Sequence, residues 1–250
     1  MREKTEGCLT THKKVFLSAE WRDLVMLNYE VEPDVLNRLV PRGTELDSFD
    51  GRTYLSLIGF QFRQTKLLGC FPVPFHVNFD EVNLRFYVRR RQRGDDRRGV
   101  VFIAEVVPRG AIAATARLVY GEKYIHLPME HRIETHTLNK TAEYRWQVGR
   151  EWCRLSAQTV GSPAYPREGS LEQFITEHYW GYTTQRNGES VEYQVSHPQW
   201  QVCGTTKAAF EGDASALYEG ELAVILQRPP DCAFVADGSP VVVFRGEKVQ

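Results

Sequence analysis

Apolar and polar positions alternate along most of the chain, in short runs rich in β-branched and aromatic residues. Each run ends at glycine, proline or a charged turn, which is the pattern of a β-strand. The runs cover residues 53–62, 82–90, 99–108, 111–120, 142–149, 152–160, 191–197 and 221–227. They predict a mainly β fold of antiparallel strands that closes, or nearly closes, into a barrel.

Two segments instead show apolar residues at helical spacing. Residues 32–41 place one proline early and a second proline as a stop, as helices do. Residues 170–183 open with Ser170 and Gln173 at the spacing of a capping box. Both segments predict helices that decorate the sheet.

Composition predicts one intracellular domain. The 250 residues are 42% hydrophobic, and no repeat or linker divides residues 1–250, so we expect a single domain. The five cysteines form no Cys-x-x-Cys pair, which argues against a disulfide framework. Neither a signal peptide nor a run of ~20 apolar residues is evident. We expect a cytoplasmic protein without a membrane partner.

Charge gives no sign of a nucleic-acid partner. The net charge is -1, and the basic run 89–99 contains its own acids and a glycine between two strands, as a solvated hairpin tip does. A small molecule is therefore the expected partner, and a homo-oligomer is left open.

The strand over residues 79–88 has a polar face. Alternation places Glu81, Asn83, Arg85 and Tyr87 on it, opposite an apolar face. On a one-sided sheet the polar face would be wet, which is the commoner case. In a small barrel it would line a cavity, where a carboxylate and a guanidinium orient a small anionic or carbonyl compound.

Glu105 is a single acid in an apolar strand. Alternation groups it with Val101, Ile103 and Val107. An acid on such a face must pair, protonate or lie at a rim. We expect a paired or rim-exposed structural carboxylate.

The common cofactor and metal motifs are absent. His126, His131 and His136 recur every five residues, a spacing that shares no face of a helix or a strand, so they predict no metal site. His197 precedes a proline and lies close to Trp200, and we expect it to pack against the indole. We expect neither a cofactor nor a metal.

Long stretches of the chain resemble a known family. Residues 16–62, 75–88 and 98–129, with shorter matches at 174–183 and 193–200, are similar to the uncharacterised bacterial YqjF-like family. That family is a branch of the acetoacetate decarboxylase-like superfamily. The resemblance implies an antiparallel, cone-shaped β-barrel that encloses a polar pocket.

The resemblance also implies candidate pocket residues. Acetoacetate decarboxylases form a Schiff base between a lysine and the keto acid, assisted by an arginine and glutamates. Arg22, seven residues before Tyr29, matches the arginine, and Glu81 matches one glutamate. The second glutamate has no match within residues 56–66.

The position of the lysine depends on register. Anchoring the decarboxylase motif on Gly121 puts Tyr124 at the nucleophile position, whereas a shift of one residue puts Lys123 there. In extended backbone that step reverses the side chain's direction. An imine-forming lysine must lower its pKa by about three units from ~10.4, and the neighbouring Glu122 acts in the opposite direction.

The resemblance and these residues together predict a relative of the acetoacetate decarboxylases that lacks the Schiff-base lysine. It would act on a small keto acid or related carbonyl compound by proton transfer, hydration or aldol-type chemistry. Arg22 would hold a carboxylate or enolate, Glu81 would transfer protons and Tyr124 would donate to an oxyanion, with Arg85 and Asn83 binding the substrate. The alternative is a non-catalytic binding protein with a degenerate pocket.

Overall fold

The computed structural model describes residues 13–72, 77–92, 94–108, 123–137 and 139–249. Its strands, labelled β1 to β15 in chain order, are Val15–Val31, Glu45–Leu46, Thr53–Leu67, Phe71–Pro72, Phe79–Gln92, Asp95–Val107, Tyr124–His126, Met129–Thr135, Lys140–Val148, Glu151–Thr159, Trp180–Thr184, Ser190–Ser196, Val202–Glu211, Cys232–Phe244 and Glu247–Lys248. The α-helices α1, α2 and α3 are Pro33–Asn37, Leu171–Thr176 and Glu221–Leu226.

Most of the long strands close into a ring. Strands β14, β1, β3, β5, β6, β11 and β12 follow one another in hydrogen-bonded order, and β12 pairs with β14 to close it. Neighbours in the ring are antiparallel except β6 and β11. The mainly β, antiparallel fold expected from alternation is confirmed, while the strand predicted at 111–120 lies outside the described residues. No helix in the described ranges is long and apolar enough to cross a membrane.

A second sheet layer covers one outer side of the ring. Strand β13 extends from β14, and β10, β9 and β8 follow it in order. Outward side chains of the ring, such as Leu57 and Leu84, share a core with Tyr144, Trp146 and Leu155 of this layer. Inward side chains form a separate core. The ring strands are therefore buried on both faces where the second layer lies.

A β-bulge at Asp23 reverses the alternation of β1. Trp21 faces the interior of the ring before the bulge, and Leu24 does so after it. From Arg22 to Val25, β1 contains one residue more than the segment of β3 that pairs with it, and Asp23 takes a φ of 56°. A single extra residue turns every later side chain to the opposite face.

A second bulge, in β6, corrects the grouping of Glu105. Phe102 and Ala104 pair with consecutive residues of β5, so Ile103 is the extra residue. Val101 therefore lies in the outer core, whereas Glu105 turns to the interior. The prediction that these two residues share a face was wrong because strict alternation takes no account of a bulge.

The run 221–227, predicted as a strand, forms helix α3. Leu222, Ala223 and Leu226 are buried while Val224 is exposed, which is the spacing of a helix that packs one face. A short apolar run does not by itself distinguish helix from strand.

The helix predicted over residues 170–183 is shorter than expected. It ends at Thr176, before β11 begins. The Ser170 hydroxyl accepts a hydrogen bond from the Gln173 backbone N–H, so the predicted cap is confirmed. The Gln173 side chain instead accepts from the Gly169 N–H. Helix α1 likewise ends early, at Asn37.

Gly59 sets the distance between the ring and the second layer. A Cβ at this position would lie 2.7 Å from Tyr144 and 2.9 Å from Leu155. We expect Gly59→Ala to lower the free energy of unfolding by about 1–3 kcal/mol, because two buried side chains must move. Urea denaturation measures this. Gly204→Ala is the control, since its Cβ would meet nothing within 4 Å, and equal losses in both variants would contradict the packing argument.

Candidate functional site

The ring encloses a cavity of about 160 Å³, to which every strand of the ring contributes side chains. A cavity of this size accommodates a molecule of about the size of benzene. Its wall is rich in aromatic side chains, among them Trp21, Phe60, Phe62, Phe79, Phe102 and Trp200. The cavity therefore suits a small organic molecule rather than a polymer.

Strand β5 supplies a row of polar side chains to this cavity. Glu81, Asn83 and Arg85 line it, and each residue is at most 8% exposed. The intervening Val82 and Leu84 face the outer core. Of the two alternatives for the polar face of residues 79–88, the cavity lining is confirmed and the wet face is wrong, because the ring places both faces inside the protein.

Glu81 is a buried carboxyl group with hydrogen-bond donors on both oxygens. The Asn83 amide donates to Oε1 at 3.0 Å, and the Tyr124 hydroxyl donates to Oε2 at 3.5 Å. Burial raises the pKa of Glu81 to about 7, although these two bonds and the charge of Arg85 oppose the rise. Both protonation states are therefore populated near neutral pH, which suits an acid–base group.

Arg85 brings a buried positive charge to the same wall. Its Nη2 donates to the Ile175 carbonyl oxygen at 3.2 Å, and its guanidinium lies over the Tyr87 ring at 5.6 Å. Its Nε is buried and has no hydrogen-bond partner among the described residues. The group thus retains donor capacity for a carboxylate or enolate oxygen.

Glu105 is a second acid in the cavity lining. It is 2% exposed. In the backbone register, Glu105 of β6 lies opposite Asn83 of β5 on one side and opposite Tyr124 of β7 on the other, and all three residues line the cavity. Of the two alternatives expected for Glu105, paired or rim-exposed, the rim-exposed one is therefore wrong. The resemblance left the family's second glutamate without a match, and Glu105 is an acid that the fold brings to the same cavity.

Two histidines also line the cavity. His197 stacks on Trp200 with ring centroids 4.2 Å apart, as predicted, and its Nδ1 is 2.9 Å from the Pro198 carbonyl oxygen. His178 follows helix α2, and its Nε2 is 3.1 Å from Oδ2 of Asp47. No local pattern pointed to His178, since it fell within a segment predicted to remain helical.

Arg22 and Lys123 lie outside the cavity lining. Arg22 follows the inward Trp21, and its guanidinium pairs with Glu20 at 3.0 Å. Lys123 is exposed, and its carbonyl oxygen accepts a hydrogen bond from the Glu105 N–H at 3.2 Å. Tyr124, the next residue, does line the cavity. Of the described residues that form the wall, none is a lysine.

Two of the three histidines at five-residue spacing, His126 and His131, have separate partners. His126 Nε2 is 3.1 Å from the Pro108 carbonyl oxygen, and His131 Nδ1 is 2.9 Å from the Asp80 carboxylate. Within the described ranges, no group of three or more histidine, cysteine, aspartate or glutamate residues is arranged to hold a metal ion.

Solved structures define the class of fold. Acetoacetate decarboxylase from Legionella pneumophila aligns with a TM-score of 0.64 at 13% identity, covering 100% of this chain and 93% of that one. An acetoacetate decarboxylase-like enzyme from Sphingomonas wittichii RW1 gives 0.65 at 13%, covering 99% of both chains. The enduracididine biosynthesis enzyme MppR, complexed with pyruvate, gives 0.64 at 15%, covering 98% and 93%. The chain has the acetoacetate decarboxylase-like fold.

The family is narrower than this class. Residues 18–240 match the model of DUF2071, described as "Uncharacterized conserved protein (COG2071)", and the chain belongs to that family. It is also similar to the uncharacterized protein YqjF of Bacillus subtilis (strain 168), with 23% identity over 180 residues, which cover 72% of each protein. The resemblance identified from the sequence is confirmed.

Proposed function

We propose that this protein is an enzyme that acts on a small keto acid or related carbonyl compound by proton transfer, hydration or aldol-type chemistry, without an imine. The observation that carries the proposal is Glu81. Its carboxyl group has a pKa raised to about 7 by burial and lies in the cavity beside the Asn83 amide and the Tyr124 hydroxyl. Buried acids near neutral pKa are typical of groups that transfer protons.

Four polar groups of the cavity have a role in this proposal. Glu81 takes a proton from the carbon next to the carbonyl group and returns one to it. Once Glu81 is protonated, its O–H can donate to the Tyr124 oxygen, so the Tyr124 hydroxyl can itself donate to the oxygen on which negative charge develops. Arg85 binds the carboxylate or enolate, and Asn83 orients Glu81 through their 3.0 Å hydrogen bond. Arg22 has no part, because its guanidinium pairs with Glu20.

The size and lining of the cavity support a small substrate with an apolar part. A volume of about 160 Å³ suits a keto acid, and the aromatic wall would exclude water from the polar row. The fold neighbour MppR was solved with pyruvate bound, which supports the same class of ligand here.

The test is exchange of carbon-bound protons. Pyruvate, 2-oxobutyrate and acetoacetate are incubated with the protein in D₂O, and loss of the signal next to the carbonyl group is followed by proton NMR. We expect exchange of at least one compound faster than in buffer. A ligand-induced rise in melting temperature without exchange of carbon-bound protons or of the carbonyl oxygen would instead identify a binding protein, and none of these effects with any compound would refute the proposal.

Lys123 is expected to form no imine. Because its side chain is exposed and no described wall residue is a lysine, borohydride treatment with pyruvate or acetoacetate should leave the intact mass of the protein unchanged. An acetoacetate decarboxylase treated in parallel is the positive control. A mass adduct that disappears in Lys123→Ala would restore the Schiff-base mechanism.

A further inference from the structure

His178 carries a buried nitrogen that no described group engages. The side chains of His178 and Asp47 are 1% and 3% exposed and approach to 3.1 Å between Nε2 and Oδ2. Nδ1 of the same ring is buried and has no hydrogen-bond partner among the described residues. Since His178 lines the cavity, its second nitrogen is the one left for a bound molecule.

Neighbouring groups fix which nitrogen carries the proton. Although burial works to raise it, the pKa of Asp47 is lowered to about 2 by hydrogen bonds from His178 and Arg98. An ionised carboxylate only accepts hydrogen bonds, so Nε2 of His178 must be the donor. Arg98 Nε donates to the same Oδ2 at 2.7 Å, and the Ser48 N–H donates to the other oxygen at 3.0 Å.

His178 is neutral near pH 7, so Nδ1 bears a lone pair. Burial lowers the pKa of His178 to about 4; the Asp47 carboxylate opposes this, and the positive charges of Arg98 and Arg85 reinforce it. The ring is held by Tyr87 and Phe174, whose centroids lie 4.7 and 4.9 Å away. A carboxylate that accepts a hydrogen bond from one ring nitrogen of a histidine, while the other nitrogen has no partner, is the arrangement of a general base.

We propose that Nδ1 of His178, oriented by Asp47, takes a proton from the water molecule that attacks the substrate's carbonyl carbon, so that this site catalyses carbonyl hydration and its reversal besides exchange of carbon-bound protons. This inference rests on the proposed function and assigns it one reaction and a second acid–base residue. The substrate class is then a keto acid whose carbonyl group is held between His178 and Glu81.

The step balances without any co-reactant other than water. The water oxygen forms a bond to the carbonyl carbon, and the π pair of the C=O bond moves to the carbonyl oxygen. That oxygen takes the proton of Glu81, while Nδ1 of His178 takes one proton from the water. The product is a gem-diol, and the imidazolium, which is stabilised by Asp47, returns its proton to Glu81 through solvent.

Oxygen exchange tests the assignment. In water enriched in oxygen-18, each cycle of hydration and dehydration replaces the carbonyl oxygen of pyruvate, and mass spectrometry follows the mass gain. We expect the wild-type protein to accelerate oxygen exchange. In His178→Gln the protein-catalysed rate should be at least ~100-fold lower than in the wild type. Glutamine keeps a donor for Asp47 at the position of Nε2 but has no base at Nδ1.

The matched control is His136→Gln. It makes the same substitution at an exposed histidine outside the cavity lining. We expect it to change oxygen exchange by less than about threefold, well below the factor expected for an acid–base group. Asp47→Asn, which removes the charge behind His178, should also slow exchange.

Two assays separate this inference from the proposed function. Retained carbon-proton exchange with lost oxygen exchange in His178→Gln supports the inference. Carbon-proton exchange without accelerated oxygen exchange in the wild type, or full oxygen exchange in folded His178→Gln, overturns it and leaves the proposed function intact. Absence of both activities from the wild type refutes both.

If His178→Gln does not fold, nitrogen-15 NMR of the wild-type imidazole decides. An unprotonated Nδ1 whose resonance moves on addition of pyruvate supports the inference. A protonated Nδ1, or one that pyruvate leaves unchanged, overturns it.

Discussion

Glu81→Gln is expected to slow enzyme-catalysed exchange of carbon-bound protons by at least ~100-fold. The carboxyl group of Glu81 has a pKa raised to about 7 by burial, so it can both take and give a proton at neutral pH. Glutamine can do neither. The measurement is the initial rate of deuterium incorporation into the keto acid that the wild-type protein exchanges fastest.

The substitution preserves the shape of the site. The amide oxygen introduced by Glu81→Gln would still accept from Asn83, which now donates to the carboxyl group at 3.0 Å. The Tyr124 hydroxyl can turn to accept from the new amide N–H. Binding of the keto acid through Arg85 should persist, so the ligand-induced rise in melting temperature should remain. A loss of rate with retained binding identifies a role in the chemical step.

The control for this experiment is Glu130→Gln. Glu130 lies on β8 of the second layer, and its side chain is 60% exposed beside Arg145. Its substitution should leave the exchange rate unchanged. If Glu81→Gln retained the wild-type rate, the proton-transfer role of this carboxyl group would be refuted.

The polar row of the cavity wall could be predicted from one strand. Alternation alone places Glu81, Asn83 and Arg85 on a common face, and the structure puts all three in the cavity. Whether that face was wet or enclosed depended on ring closure through β12 and β14, which joins strands far apart in sequence. The resemblance supplied that part of the prediction.

The errors trace to local breaks in regularity. The bulge at Ile103 turns Glu105 inward. Residues 100–107 are apolar on both faces of the strand apart from Glu105, so the shift in alternation at the bulge cannot be seen in the hydrophobic pattern. The spacing from Arg22 to Tyr29 matched the family, yet Arg22 lies on the opposite side of β1 from the cavity-lining Trp21 and pairs with Glu20. Matched spacing therefore did not predict the direction of a side chain.

His178 was missed for a different reason. The apolar pattern continued through residues 170–183, so the end of the helix at Thr176 could not be seen. The residue that makes His178 informative is Asp47, which lies 131 positions away in sequence. A contact of that separation is determined by the tertiary fold and not by any local pattern.

The burial of Glu81 should also make stability depend on pH. The carboxyl group has a pKa near 4.5 when exposed and about 7 when folded, so the folded state binds its proton more tightly. Below about pH 4.5 Glu81 is protonated in both the folded and the unfolded state, so burying it costs no stability relative to a neutral group. Between about pH 4.5 and 7 the unfolded state ionises first, and the free energy of unfolding must fall as pH rises. Above about pH 7 the penalty is constant.

Glu81→Gln should therefore be more stable than the wild type at pH 8, while being less active. A shift from 4.5 to about 7 corresponds to about 3 kcal/mol. Urea denaturation of both proteins from pH 4 to 8 gives the difference in their free energies of unfolding. It should grow from near zero at the acid end to its full value above about pH 7.

The wild type must be compared with Glu81→Gln because His178 changes the free energy of unfolding with pH in the opposite direction to Glu81. Its pKa is lowered by burial to about 4, so its contribution is fully present above the ordinary value of 6.5 and is lost as pH falls towards 4. This term is common to the wild type and Glu81→Gln and cancels in their difference. A difference that stays flat from pH 4 to 8 would show that Glu81 titrates as an exposed carboxyl group, and the acid–base role proposed for it would then lose its physical basis.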